Sequence, residues 1–464
     1  MKFTSLLVCA VAGLTTVFAG ENCPRDTIFS KLQSGLSLLL SSKNLITSTA
    51  PARWSDFDAP HPGAVINVRN EADVVASNGG NGWATTFHLG SNGVIINLAG
   101  LNQVTFDSAR TQATIGGGAN IKTTIDAAYA AGALVETGNC NCVGTLGAIL
   151  GAGYGNLMGE YSFGVDNVLS IRVVTPDGQL RNVTAQSDPD LFWALRGAGP
   201  NFGIVTSATV KARKASAVDN QAWTGSLIYT EDQLEDVIQA IEDLPLTQEM
   251  VIFLYFLADS TTGSPVIVAS PWMHRADETS GPAAYASLYA IGPVATDTAV
   301  VEYNQWNSGS DALCDRGEYK PGWGAGFQDM IPETWRAIWD AYVAFQQLPG
   351  AERSGVLMEK YNLSAARSFA PSSAAFPNRN VNINAFAIPW YDDSSLDAEA
   401  AKFGNKVRDL LRSTSGLPRN QTYVNFAHGD EPLAEVYGDS LARLKTLKKK
   451  YDPTNVFNQW FDIQ

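Results

Sequence analysis

Positive charge is scarce in this chain of 464 residues. It has 32 lysines and arginines against 46 aspartates and glutamates, a formal net charge of -14 at pH 7. A surface this acidic repels phosphate backbones, so we expect no nucleic-acid partner. The one basic cluster, Lys445, Lys448, Lys449 and Lys450, follows a helical pattern of leucines and predicts a solvated helix face.

Long apolar runs are also missing beyond the first twenty residues. No later stretch approaches the roughly 20 apolar residues of a membrane-spanning helix, so no membrane partner is expected. At the start, Lys2 precedes an apolar run and a small-residue site ending at Ala19, which is the layout of a cleavable signal peptide over residues 1–19. We expect a monomer in the secretory pathway, secreted or vacuolar, and three glycosylation sequons are compatible with that route: Asn182, Asn362 and Asn420.

Cysteine is rare, and its spacing gives no metal site. After signal cleavage the chain keeps Cys23, Cys140, Cys142 and Cys314, without a CxxC pair or a histidine-rich spacing. We therefore expect no metal. Cys23 and Cys314 are candidates for a disulfide in an oxidising compartment, and the sequence leaves their partners open.

The chain is long enough for two hydrophobic cores, because single cores stop growing at roughly 250–300 residues. Residues 60–210 read as short apolar strands separated by glycines, with one helix at Ile121–Ala131 that ends at Gly132. From about residue 215 to 419 the candidate strands and helices are longer. The pattern predicts an α+β fold with two domains.

Three glycine-rich segments are the most informative part of the sequence: 78–83, 140–155 and 197–205. Backbone N–H groups freed in such turns form anion-binding concavities, so a diphosphate is one natural guest and a plain cluster of turns is the alternative. The chain contains neither GxxxxGK[ST] nor GxGxxG. These absences exclude a P-loop and disfavour a nicotinamide-binding Rossmann turn.

These segments resemble the FAD-linked oxidases related to berberine bridge enzyme and vanillyl alcohol oxidase, the PCMH-type FAD-binding superfamily. The resemblance rests on the glycine pattern of 140–155, on DLFWALRG at 190–197, and on residues 423–426 and 451–457 near the C-terminus. It implies a two-domain fold, with an FAD-binding domain at 20–214 and an antiparallel-sheet substrate domain covered by helices at 215–420. Residues 421–464 would return to the FAD-binding domain.

The resemblance also implies FAD as cofactor and a small organic substrate whose electrons pass to oxygen. The residues that it assigns to FAD binding are Gly79, Gly80, Asn81, Gly82, Cys140, Val143, Gly144, Gly147, Gly151, Gly153, Tyr154, Gly155, Asp166, Asn167, Gly203, Ile204, Val205 and Asn425.

Two departures from the family bear on how the flavin is held. Family members with a histidyl-bound flavin carry histidine where this chain has Asn81, so that link is excluded at this position. Cys140 falls where some members form a cysteinyl bond, and a free buried thiol is the alternative. We expect FAD to be non-covalent, or attached by a single link at Cys140 at most, and Cys142 to be a packing residue.

A third departure concerns the catalytic base. The family often uses the last tyrosine of a YxNY motif, and this chain has Phe426 there, which cannot accept a proton. The catalytic residues stay unknown on sequence alone. The candidates are Glu359, Tyr361, Tyr391 and Asn425.

The last departure is one of length. A helix is predicted to begin at residues 70–73, yet the chain reaches the first glycine segment by Asn78. Because a parallel crossover normally needs a dozen or more residues, one βαβ unit looks shortened.

The leading interpretation is an FAD-dependent oxidase acting on a small hydrophobic substrate, of the kind found in secondary metabolism. A carbohydrate oxidase is one alternative, since Asn382 and Asn384 could offer polar contacts. A redox-neutral cyclase that uses the flavin fold as a scaffold is another, because the usual histidine and tyrosine are absent. A non-catalytic small-molecule binder rests on the same losses.

Overall fold

The computed structural model describes residues 45–74, 89–91 and 93–464. The predicted signal peptide, Cys23 and the first glycine segment, with Gly79, Gly80, Asn81 and Gly82, lie outside the described residues. No helix within the described part is long and apolar enough to cross a membrane.

A small sheet opens the described chain. Its strands are β1 (Ile46–Thr47), β2 (Ala64–Asn67) and β3 (Val94–Asn97), and β2 runs parallel to β3. Both β2 and β3 lie in the region that the sequence analysis read as short apolar strands separated by glycines. A short 3-10 turn at Glu71–Asp73 follows β2 where the sequence predicted the start of a helix. The proposed shortening stays a prediction, because residues 75–88 lie outside the description.

The second sheet has the order β4-β5-β9-β7-β8, and β6 pairs with β9. Its strands are β4 (Val104–Phe106), β5 (Gln112–Gly116), β6 (Ala133–Val135), β7 (Val168–Val174), β8 (Leu180–Thr184) and β9 (Ile204–Lys214). The helices between them are α1 (Ile121–Ala131), α2 (Thr145–Gly151), α3 (Met158–Tyr161) and α4 (Pro189–Ala198). Helix α1 has its predicted bounds, and it ends because Gly132 adopts a left-handed φ of 65°.

The third sheet has seven strands, all antiparallel, in the order β13-β10-β12-β11-β15-β16-β14. The strands are β10 (Gln221–Tyr229), β11 (Met250–Ala258), β12 (Pro265–His274), β13 (Ala295–Glu302), β14 (Trp323–Phe327), β15 (Gly355–Tyr361) and β16 (Ile383–Ile388). Its helices are α5 (Leu234–Glu242), α6 (Ser280–Ala284), α7 (Ala286–Ile291), α8 (Pro332–Gln346) and α9 (Asp397–Ser413). The predicted α+β class and the antiparallel sheet covered by helices are confirmed.

Strand β15 shows how the third sheet is buried on both faces. Successive side chains of a strand point to opposite faces. Val356 and Met358 pack into the core formed with helices α5, α8 and α9, whereas Leu357 and Tyr361 pack into the core of the second sheet. Glu359 shares the alternation of Leu357 and Tyr361. Its side chain therefore faces the second sheet.

The C-terminal segment returns to the second sheet through α10 (Leu433–Tyr437) and α11 (Leu441–Tyr451). The prediction of a solvated basic face on α11 is wrong for Lys448, which is 1% exposed. Its ammonium donates to the carbonyls of Asn201 at 2.9 Å and Phe457 at 2.7 Å, and to the Asp452 carboxylate at 2.7 Å. Burial is tolerated because every donor of the ammonium has a partner.

A buried ion pair joins the two larger sheets. Arg379, in the loop before β16, donates to both carboxylate oxygens of Asp166 at 2.8 Å and 2.7 Å. The Arg379 side chain is 6% exposed and that of Asp166 is fully buried. The hydroxyl of Ser162 also donates to Asp166, at 2.6 Å. The pair fixes how the third sheet sits against the second.

We expect Arg379→Gln to lower the free energy of unfolding by about 3–5 kcal/mol, because it leaves the Asp166 carboxylate buried without its partner. Lys402→Gln is the control, since Lys402 and Glu399 form an exposed pair, and it should cost at most about 1 kcal/mol. Equilibrium unfolding in urea measures both. Equal, small losses would show that the buried pair contributes little.

Candidate active site

Two adjoining spaces lie beside the second sheet, and one of them reaches the third sheet. A narrow crevice is lined by Gly117, Leu146, Gly147, Leu150, Gly151, Gly197, Gly199, Pro200, Gly203, Val205, Val424, Asn425 and Trp460. Beside it is a cavity of about 380 Å³. Asn425 lines both spaces. Crevice and cavity therefore meet at this residue.

The glycines of segments 140–155 and 197–205 differ in what an added Cβ atom would meet. A Cβ added at Gly144, in the cavity, or at Gly199, in the crevice, would have no atom within 4 Å. A Cβ at Gly151 would instead collide with the Asn425 side chain, and one at Gly153 would lie 2.7 Å from the Cα of Gly164. The close approach expected at Gly151 and Gly153 is thus made by the protein itself. Open space for a ligand lies at Gly144 and Gly199.

FAD fits this pair of spaces. The crevice wall at residues 197–203 is glycine-rich, so a ligand could contact backbone amides there. A side chain at Gly144 or Gly199 would occupy space that the absence of a Cβ leaves open. The cavity is of the size that proteins use for drug-sized ligands. An elongated dinucleotide could place its phosphate-rich part in the crevice and its ring in the cavity.

Of the fourteen predicted FAD-binding residues that the structure describes, eight line one of the two spaces. In the crevice are Gly147, Gly151, Gly203, Val205 and Asn425, and in the cavity are Cys140, Val143, Gly144 and again Asn425. The others do not line either space: Gly153, Tyr154, Gly155, Asp166, Asn167 and Ile204. Contact of each residue with FAD stays a prediction.

The side chains that do not line either space have structural partners. The Tyr154 hydroxyl donates to the carbonyl of Val381 at 3.2 Å, and its ring packs against Phe163. The Asn167 amide donates to the carbonyl of Phe163 at 3.0 Å and accepts from Arg213. Asp166 is occupied by the ion pair described above. These residues therefore support the residues that line the site and do not line it themselves.

Asn425 holds helix α2 in place. Its amide nitrogen lies 3.2 Å and 3.3 Å from the carbonyl oxygens of Gly147 and Ala148, and 2.9 Å from the hydroxyl of Tyr423. The Ala148 carbonyl also accepts the backbone N–H of Ala152 at 3.4 Å, so the Asn425 amide adds a side-chain bond to a carbonyl that already has a partner within the helix. Asn425 is a positioning residue in this arrangement, placed where crevice and cavity meet.

Glu359 is the titratable group best placed for chemistry. It lines the cavity, is only 6% exposed, and accepts a hydrogen bond of 3.0 Å from the hydroxyl of Tyr361. Burial raises the pKa of Glu359 to about 7. Tyr361 lies behind it, held in turn by the amide of Asn139, and burial raises the pKa of this tyrosine well above its usual range. Glu359 faces the cavity and Tyr361 orients it.

Tyr391, another of the sequence candidates, does not line the cavity. The hydroxyl of Tyr391 donates to the Asp397 carboxylate at 2.6 Å, and its ring stacks on Tyr319 with centroids 5.4 Å apart. Phe426, in the usual tyrosine position, lines the cavity and packs against Phe386, with ring centroids 4.3 Å apart. Phe386 and Phe426 are both apolar, so together they form a part of the cavity wall that excludes water.

Three cysteines meet at the cavity wall. Cys142 and Cys314 form a disulfide, and the sulfur of the free Cys140 lies 3.5 Å and 3.7 Å from theirs. The expectation that Cys142 only packs is wrong, because its partner approaches from a loop 172 residues later in the chain. The candidate Cys314 does form a disulfide. Burial raises the pKa of the Cys140 thiol to about 11, which keeps it protonated at neutral pH.

About half of the residues that line the cavity come from two segments that the sequence did not connect with a site, 51–58 and 313–321. Lys320 is 1% exposed there and donates to the carbonyls of Trp54, Asp315 and Gly317, each at 2.7 Å. Burial lowers its pKa to about 8. Neither segment has a local pattern that predicts a site, whereas Gly117, within three consecutive glycines, could have been found by the glycine argument.

We expect Gly199→Leu to abolish or strongly weaken FAD binding while the chain still folds. Its added side chain would meet open crevice instead of protein. Gly199→Ala, which brings the same Cβ and the same helical backbone next to Pro200, shows how much of any loss comes from strain before the proline. Gly309→Leu is the control, because a Cβ there also meets nothing within 4 Å and it lies outside the crevice. Flavin absorbance per chain measures binding. Full flavin content in Gly199→Leu would show that the crevice is not the cofactor site.

Peptide mapping without reduction should find Cys142 linked to Cys314. Alkylation should then label Cys140 only after denaturation, unless that sulfur carries flavin. In Cys142→Ser we expect a new disulfide between Cys140 and Cys314, since their sulfurs lie only 3.7 Å apart. A different native pairing would contradict the arrangement of the cavity wall.

The sequence comparisons agree with this geometry. Residues 64–184 match the family model of the FAD binding domain, and residues 422–460 match that of berberine and berberine-like proteins. The FAD-linked oxidoreductase azaL of Aspergillus niger is 30% identical over 474 residues, covering 96% of this chain and 100% of azaL. The FAD-linked oxidoreductase hasG of Aspergillus fumigatus is 31% identical, covering 92% of this chain and 98% of hasG.

Solved structures share the fold at lower identity. BBE-like 1 of Physcomitrella patens aligns with a TM-score of 0.74 at 19% identity, over 90% of this chain and 93% of that one. The xylooligosaccharide oxidase of Myceliophthora thermophila aligns with a TM-score of 0.74 at 18% identity, over 94% and 99% of the two chains. Together with the relatives of about 30% identity, these likenesses show that the chain belongs to the FAD-linked oxidoreductases of the berberine bridge enzyme type.

Proposed function

We propose that this oxidoreductase is an oxidase of small hydrophobic alcohols or phenols, with oxygen as the final acceptor. FAD, when bound, supplies the acceptor for a hydride and passes the electrons to oxygen. The observation that carries the proposal is Glu359, a buried carboxyl on the cavity wall whose pKa is raised to about 7. A group with such a pKa is suited to exchange protons near neutral pH.

Glu359 takes the place of the missing tyrosine base. It would accept the proton of the substrate hydroxyl as the C–H bond breaks. The hydrogen bond from Tyr361 to one carboxylate oxygen orients Glu359, which lines the cavity. The aromatic walls at Phe386 and Phe426 exclude water, which keeps the proton transfer between substrate and carboxylate.

A hydrophobic substrate fits the cavity better than a sugar. Its lining includes Trp54, Phe57, Leu357, Phe386, Ile388, Trp390 and Phe426. Polar side chains, which sugar sites need, are the smaller part of this lining. Asn382 and Asn384, on which the carbohydrate alternative rested, are not part of it. The carbohydrate oxidases among the structural relatives therefore support the fold and not the substrate.

We propose further that the flavin is held without a covalent link. The Cys140 sulfur lines the cavity, so a single cysteinyl link there is the alternative. Its raised pKa, about 11, favours the thiol over the thiolate that would attack a flavin ring. The disulfide of Cys142 and Cys314 supports an origin in an oxidising compartment, in keeping with the proposed secretory route.

We expect Glu359→Gln to lower kcat for benzylic alcohols by about 10²–10⁴-fold. In the wild type, kcat/KM should rise with pH through about 7, because the base acts only when ionised. The variant should lose that dependence. Tyr361→Phe is the comparison: it removes the orienting hydrogen bond but keeps the base, so it should shift the pH profile and cost less activity.

Folding provides a separate readout for Glu359. A carboxyl whose pKa is raised on folding contributes stability below its unfolded pKa of about 4.3 and loses that contribution as pH rises through the folded pKa. Glu359→Gln should therefore be no less stable than wild type above pH 7. A variant that is stable but fully active would contradict the role of Glu359.

A redox-neutral cyclase is the second candidate, favoured by the apolar Phe426 in place of the usual tyrosine. For an oxidase we expect one hydrogen peroxide per product molecule, measured by a coupled peroxidase assay. Phe426→Tyr should raise the oxidase rate on hydroxylated substrates by adding a second proton acceptor. Product without peroxide, in wild type and variant alike, would support the cyclase and overturn the oxidase.

A further inference from the structure

Three cationic residues line the cavity, and they differ in the hydrogen bonds that their charged groups make. They are Arg53, Arg316 and Lys320. The Lys320 ammonium already donates to three carbonyls. Arg316 is exposed to solvent and donates to the carbonyl of Ala52 at 3.0 Å. Neither of these two needs a ligand.

Arg53 is different. It is half-buried, and burial lowers the pKa of its guanidinium. Within the described part of the chain, its guanidinium has no hydrogen bond and no ion pair. The acidic groups that act on it, Asp56 and Asp58, are both exposed and act only at longer range. The guanidinium is half-buried and can still be reached by water, and an anion in the cavity would replace that water with a charge-assisted hydrogen bond.

The surroundings of Arg53 narrow the chemistry of such an anion. Trp54 and Phe57 lie on the same segment and line the same cavity. With Phe386 and Phe426 they form an aromatic enclosure suited to a flat apolar body. The chain as a whole carries a charge of -14 and repels anions. Selective entry of an acid therefore requires a local cation, and a guanidinium matches a carboxylate through two parallel hydrogen bonds.

We propose that Arg53 is a specificity-determining residue that binds a carboxylate of the substrate, so that the site takes aromatic or otherwise apolar acids. This inference rests on the proposed function, because it names the substrate class of the same cavity. Arg53 holds the carboxylate of the substrate, and the apolar part of the substrate lies between the aromatic side chains of the cavity wall. The oxidisable hydroxyl group is then presented to Glu359.

The test uses the FAD-loaded protein and two isosteric probes, 2-naphthoate and 2-naphthamide, with affinity measured by calorimetry. We expect wild type to bind the carboxylate about 10- to 100-fold more tightly than the amide, which is the range of a charge-assisted hydrogen bond pair. Arg53→Gln should abolish this preference, and Arg53→Lys should keep part of it. Arg316→Gln should keep it in full, since that arginine is exposed and bonded to backbone.

Equal affinity for both probes in wild type, binding of neither, or a preference that survives Arg53→Gln would each overturn the proposal. If Arg53→Gln does not fold, the wild-type ratio and the Arg53→Lys variant still decide. If the oxidase proposal itself fails, neither hydroxylated acids nor neutral alcohols will give hydrogen peroxide. Oxidation of neutral alcohols as efficiently as of their hydroxy-acid analogues would leave the oxidase standing and remove the role of Arg53.

Discussion

Burial of both faces of the seven-stranded sheet is the constraint on which the site depends. One face carries helices, and the other rests against the second sheet, so each strand has only one register that buries its apolar side chains. A slip of one residue would exchange the two faces. In β15, Glu359 pairs with Phe253 on one side and Asn384 on the other. The same register that buries Leu357 and Tyr361 therefore places a carboxyl in the cavity.

The C-terminal segment holds both walls of the crevice in place. Asn425 contacts the carbonyls of Gly147 and Ala148 in α2, a helix that forms one side of the crevice. Lys448 contacts the carbonyl of Asn201, next to the glycines of the opposite side. Both walls of the crevice are thus fastened by residues more than two hundred positions away in the sequence. The cofactor site exists only when the whole chain has folded.

Local patterns were enough to predict much of this structure. Helix α1 and the strands around it have strong periodicity and clear glycine stops, and the glycine segments do border the crevice. What depends on distant partners was not predictable. The partner of Cys142 lies 172 residues later in the chain. Lys448 is buried because the distant carbonyl of Asn201 joins two oxygens that are close in sequence around its ammonium. Tyr391 donates to Asp397 and does not line the cavity. Arg53 lies in an irregular segment that has no periodicity to read.

We expect the cofactor and the reacting groups to meet in the cavity. A crystal structure of the FAD-loaded protein tests this most directly. We expect the dinucleotide to run along the crevice beside Gly199, with its ring in the cavity between Gly144 and the third sheet, and with Glu359 facing the space beside the ring. An FAD molecule bound elsewhere, or a ring in the cavity with the Glu359 carboxyl turned into the core, would contradict the central claim.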